Sequence, residues 1–121
     1  MDFTLENTLP IWKQISSRLE EGIITGEYPA GSRLPSVRDL AAEAKVNPNT
    51  MQRAMAKLEA DGLVVTNRTA GRTVTDDAAV IDMIRTRLAA EHAQGYLEKM
   101  KALGFNAGEA LAFVQKGIEN E

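Results

Sequence analysis

The sequence predicts a mainly α fold with one small β-hairpin: a winged helix-turn-helix followed by a two-helix C-terminal tail. Three observations predict it. Apolar residues recur at helical spacing in three successive segments, each opened by a helix-start signal. The period then shortens to that of strands in "LVVTN" and "RTVT", on either side of the turn residues "RTAG". Helical spacing returns from Asp77 onward. At 121 residues, 44% hydrophobic and 26% charged, the chain has the size of one domain, or of a small domain plus an appendage, and the composition of a protein that folds.

The first helix is expected to open at Pro10, whose missing N–H costs nothing at a first helical position. Ile11, Ile15, Leu19 and Ile23 then repeat at i+4 with Trp12 beside them, so one face is apolar. Gly26 suits the left-handed position that ends a helix, and "GEYPAG" follows as a loop. Ser36 followed three residues later by Asp39 predicts a reciprocally capped second helix ending near Ala44, with Val37, Leu40 and Ala41 toward the core. Only Lys45 and Val46 separate it from the next start, where Asn47 caps and Pro48 takes the first turn. That third helix should run to about Asp61, bury Met51, Ala54, Met55 and Leu58, and close at Gly62. Two helices joined by so tight a turn must cross steeply. Helix, helix, helix, hairpin is the order of a winged helix-turn-helix, expected over residues 1–76.

Residues 77–121 are expected to form a dimerisation region. A helix from Asp77 to Leu103 presents Ile81, Ile84, Leu88, Tyr96, Met100 and Leu103 on a face interrupted at its middle, and Gly104 ends it. Asn106 and Glu109 form another cap-plus-three pair, opening a last helix through Leu111, Phe113, Val114 and Ile118. Two helices are too few to bury those faces on each other. A second copy of the chain is the commonest solution, with Leu111 and Val114 joining the interface.

The first turns of the third helix crowd Asn47, Pro48, Asn49, Thr50, Gln52 and Arg53 together, and no acidic residue stands between Val46 and Leu58. At the start of the second helix of a helix-turn-helix, such side chains lie where base edges are read. Asn or Gln can pair with adenine N6/N7 and Arg with guanine O6/N7, while a duplex-facing surface excludes carboxylates. Ser36 and Arg38, opening the preceding helix, are placed to clamp backbone phosphates. In the turn "NRTAGRT", Gly71 permits close approach and Arg68 and Arg72 flank the tip, which suits a wing touching phosphate or minor groove. The overall charge of −3 conceals this surface: residues 33–72 carry seven basic against four acidic residues, a balance of +3 that leaves −6 elsewhere.

Catalysis has little to stand on. There is no cysteine, the single His92 has no paired histidine, and no Gly-rich phosphate loop follows a strand. Neither a metal site nor a cofactor is expected, and His92 is read as a surface or interface side chain. Glu20 with Glu21, and Asp76 with Asp77, are sequence neighbours that do not converge on a helix and are expected on solvated faces. The N-terminus lacks the basic region and apolar run of a secretory signal, and no eighteen apolar residues run together, which predicts a cytoplasmic protein with no membrane partner. A winged helix can also serve as a protein-interaction module without specific DNA binding, and salt-dependent duplex binding separates the two.

The stretch "GSRLPSVRDLAAEAKVNPNTMQRAMAKLEADGLV", followed by "GRTV", resembles the DNA-binding domain of GntR-family transcriptional regulators. The resemblance covers about residues 10–75: the LPS-x-R-x-LA block, the short turn, the N-P-N-T helix start, the LE-x-x-G-L junction and the glycine-bearing wing occur in order. The N-P-N-T form and the brief tail resemble the YtrA-like subfamily, whose tails are dimerisation devices. The resemblance implies that Ser36, Arg38, Asn47, Asn49, Thr50, Gln52, Arg53, Gly71 and Arg72 occupy DNA-contacting positions. It departs from the family where many members carry a basic residue in place of Pro48 and of Gln52. The expected protein is a homodimeric regulator, a repressor rather than an activator, on a palindromic duplex operator. Any small-molecule effector would sit at the dimer interface, since some forty residues cannot enclose a pocket of about 300 Å³.

Overall fold

The computed structural model describes residues 1–5 and 9–121. Its elements run α1 (Ile11–Ile24), α2 (Val37–Ala44), α3 (Pro48–Ala60), β1 (Val64–Asn67), β2 (Gly71–Val74), α4 (Ala78–Ala102) and α5 (Ala107–Glu119). The chain divides into two compact units, Met1–Ile84 and Arg85–Glu121, the division falling inside α4.

In the first unit α3 is the hub, packing on α1, α2 and β1. Met51, Ala54, Met55 and Leu58 of α3 have no exposed surface and meet Ile15 and Leu19 of α1 and Leu40 of α2, which makes one continuous apolar core. The expected stripes are the observed ones. Ser16, also buried, turns its hydroxyl onto the carbonyl of Trp12 at 2.9 Å.

Three local details differ from expectation. Pro10 stands one residue before α1, in an extended N-cap conformation, and its carbonyl accepts from Lys13 and Gln14. The Ser36 hydroxyl accepts from the Asp39 N–H at 3.1 Å, but among the described residues the return bond from Asp39 is absent, so the cap is one-armed. Glu20 is only 4% exposed: it lies on the core side of α1, next to Leu19 and one turn beyond Ser16, whereas Glu21, Asp76 and Asp77 lie toward solvent.

The α2–α3 turn is made by Lys45 in the left-handed conformation, φ 58° and ψ 46°, the one described non-glycine residue with positive φ. Val46 then donates to the Ala41 carbonyl at 3.0 Å and α3 begins two residues later. At the far end of α3, Gly62 at φ 79° lets Leu63 donate back to Leu58 and turn directly into β1. Strands β1 and β2 pair antiparallel, Val64 opposite Val74 and Asn67 opposite Gly71. Residues 32–34, unassigned in the sequence, lie along the other edge of β2: Arg33 bridges Thr73, Leu34 N–H donates to Arg72 and Val74 N–H to Ser32. The two-stranded hairpin is thereby flanked by a single bridge at Arg33, next to buried Leu34.

The second unit holds the C-terminal part of α4 and all of α5. Asn106 and Glu109 form the full capping box that opens α5, with bonds of 2.9 and 3.1 Å. The Tyr96 hydroxyl donates to the Ala110 carbonyl at 2.7 Å, and Phe105 meets Phe113 edge-to-face at 5.1 Å. Of α5 only Ala110 is buried. Among the described residues no helix is long and apolar enough to cross a membrane.

Candidate nucleic-acid interface

Because α3 buries the face through Met51, Ala54, Met55 and Leu58, helical geometry turns Pro48, Asn49, Gln52 and Arg53 outward, and all four are exposed. Asn47 is exposed as well and serves as the N-cap, its side chain accepting from the Asn49 N–H at 2.8 Å. Thr50 is half-buried. A single surface of α3 therefore carries short polar side chains and no carboxylate.

Ser36 and Arg38 are exposed at the start of α2, while Gly71 and Arg72 belong to β2. The fold draws these together with Gln52 around a groove of about 510 Å³, whose lining also includes Arg33, Val37 and Thr66. The start of α2, the outer face of α3 and the wing thus border one groove that carries Arg33, Arg38 and Arg72. Arg68 is exposed in the turn between the strands, where the Asn67 side chain accepts from the Thr69 N–H.

Two of the expected contact residues are engaged inside the protein. The Arg53 guanidinium lies over the Trp12 ring, 4.3 Å from its centroid, tying the outer face of α3 to α1. The Arg72 guanidinium pairs with the Glu59 carboxylate near the end of α3. Both contacts join residues far apart in the chain, and only the fold reveals them. Arg33 was missed for the same reason: it lies outside every predicted element, and its place beside the wing comes from strand pairing.

The expected dimer face is divided. Ile84 is buried in the first unit; Ile81, Leu88, Tyr96 and Met100 are half-buried; Leu103, Leu111 and Val114 are exposed. Sequence reasoning passed over Met83 and Leu97, both exposed, and left Phe113 and Ile118 of α5 out of the interface, although they are 49% and 63% exposed. An open groove of about 640 Å³ in the second unit is lined by Gln94, Glu98, Lys101, Phe105 and Asn106, among others. No group of three or more His, Cys, Asp or Glu able to hold a metal ion occurs among the described residues.

The family model described as "Bacterial regulatory proteins, gntR family" matches residues 12–74. The chain is 35% identical to the uncharacterized HTH-type transcriptional regulator YhcF of Bacillus subtilis, across 98% of both chains. It is 36% identical to the HTH-type transcriptional repressor YtrA of the same organism, over 60% of this chain and 55% of that one. A solved GntR family transcriptional regulator from Listeria monocytogenes superposes with a TM-score of 0.81 at 37% identity, covering 93% of this chain and 98% of that one.

Proposed function

This chain belongs to the GntR family of bacterial regulatory proteins and is a YtrA-like DNA-binding transcriptional regulator rather than an enzyme; from that premise we propose a cytoplasmic repressor that binds a palindromic operator as a homodimer. The observation that carries the reading is the acid-free start of α3, residues 48–57, exposed in one surface with the start of α2 and the wing. Asn47, Pro48, Asn49, Thr50, Gln52 and Arg53 enter the major groove, with Asn49 and Gln52 reading base edges. Ser36 and Arg38 hold the phosphate backbone, and the wing makes the flanking contact, with Arg68 at its tip and Gly71 at the point of close approach.

Dimerisation through residues 77–121 is supported by the exposed apolar face of α5, which two protomers would cover symmetrically. Leu111 and Val114 of α5 would join Leu103, Leu88, Tyr96 and Met100 in that interface, and the interface reading extends to Ile81 and Ile84 in the first unit, of which Ile84 is buried. Two recognition helices related by a two-fold would meet half-sites about 34 Å apart. Repression is supported by the name of the relative YtrA, and an effector, where one acts, would sit at the dimer interface.

Selection from random duplexes followed by a salt series tests the proposal. A palindromic site should emerge, with log affinity falling against log salt at a slope of about −0.9 per neutralised phosphate. Asn49→Ala and Gln52→Ala should relax preference at particular bases by about 1–3 kcal/mol, whereas Arg38→Ala should weaken every sequence alike. Equal losses on selected and random duplex for the first two would remove them as readers.

A further inference from the structure

The two arginines that flank Gly71 at the wing differ in what their charges already meet. Arg72, on β2, is paired with Glu59 of α3; its side chain is 25% exposed and that of Glu59 31%. The Arg72 charge is thereby already matched by a carboxylate, and a phosphate approaching Arg72 would also approach that carboxylate. Arg33 is exposed, and no hydrogen bond or ion pair engages its side chain among the described residues.

Position favours Arg33 too. Its backbone is fixed by pairing to β2, with Leu34 N–H on the Arg72 carbonyl and Val74 N–H on the Ser32 carbonyl, each at 2.9 Å. From that bridge its guanidinium reaches over Gly71: a Cβ built on this glycine would lie 3.8 Å from Arg33 Nε and 3.9 Å from Nη2. It borders the same groove as Ser36, Arg38 and Gln52.

We infer that Arg33 supplies the phosphate contact at the root of the wing, and that Arg72 is a positioning residue bracing the wing on α3 through Glu59. The inference rests on the reading of this surface as the duplex-facing one. Its physical ground is charge balance. Counterion release counts cations that neutralise phosphates, and an arginine already matched by a carboxylate adds no net charge to the surface. Arg33 is uncompensated, and its backbone is bridged to β2. At the root of the wing the uncompensated charge therefore comes from a residue outside the hairpin, while Arg68 stands at the tip.

The full-length protein and a mixed-sequence duplex suffice for a test. Dissociation constants are measured across a salt series for the native protein and for Arg33→Gln, Arg38→Gln and Arg72→Gln, alongside melting temperatures without DNA. Arg33→Gln should make the log–log slope shallower by about 0.9, the value for one lost phosphate, and leave the melting temperature unchanged. Arg72→Gln should lower the melting temperature and leave the slope as it was. Should Arg72→Gln fail to fold, Glu59→Gln reports on the brace: a melting temperature equal to the native one overturns it. A native slope for Arg33→Gln beside a shallower one for Arg38→Gln overturns the assignment of Arg33. Native slopes for both overturn the reading of the whole surface, and this inference with it.

Discussion

Helices α3 and α5 are built alike and end up opposite. Each has thirteen residues, each is opened by an asparagine that accepts a backbone N–H, and each carries an apolar stripe. The stripe of α3 is buried completely, and what its first two turns show to solvent is amide, hydroxyl and guanidinium. In α5 only Ala110 is buried, and Leu111 and Ile118 are more than half exposed. Local sequence decides that both are helices. What surrounds each one decides which side is available for binding: three partner elements around α3 leave it only its polar face to offer, whereas α5 offers its apolar one.

The sharpest way to break this comparison is to truncate one leucine from each stripe. Leu58→Ala should cost about 2–5 kcal/mol in denaturant unfolding at any protein concentration, because it opens a cavity in a filled core. Leu111→Ala should alter only the concentration dependence of unfolding, through a weakened dimer. A loss of the first size that is independent of concentration would mean α5 is packed within its own protomer. A second measurement compares chains ended after Asp77 and after Ile84. The shorter should be less stable by about 1.5–3 kcal/mol, the worth of burying one isoleucine, since Ile84 belongs to the first unit's core. Equal stabilities would show that α4 contributes nothing there. The smallest effect tests the likeness rather than the contrast: Asn47→Ala and Asn106→Ala should each cost about 1 kcal/mol in unfolding, as the loss of an N-cap does. A negligible cost at Asn106 alone would mark the second unit as loosely formed.

Most of the first unit could be read from the sequence because its signals are local. Asn47 and Pro48 mark the start of α3, Gly62 its end, and the spacing of Met51, Ala54, Met55 and Leu58 its buried face. Gly71 and the β-branched residues around it mark the hairpin. The unread features are tertiary. Residues 32–34 carry no strand pattern and bridge to β2 only because that strand has an open edge. Glu20 and Glu21 look alike in sequence, yet a hundred degrees of helical rotation separates core from solvent. Lys45 adopts a conformation usually left to glycine because the following helix must start at once. The pairing of Arg72 with Glu59, and the stacking of Arg53 on Trp12, join residues that the chain alone gives no reason to connect. In the tail, the spacing of Ile84 and Leu103 is equally helical, and only the neighbours differ: Ile84 is covered within the first unit, while Leu103 is exposed.

Trp12 is the chain's one indole, and the guanidinium of Arg53, on the helix proposed to read the duplex, rests on its face. Its ultraviolet emission therefore originates at a single place, beside the surface that a duplex would occupy. A protein so arranged carries its own label: if Arg53 leaves the ring for a base or a phosphate, the colour and brightness of that emission change without any dye attached.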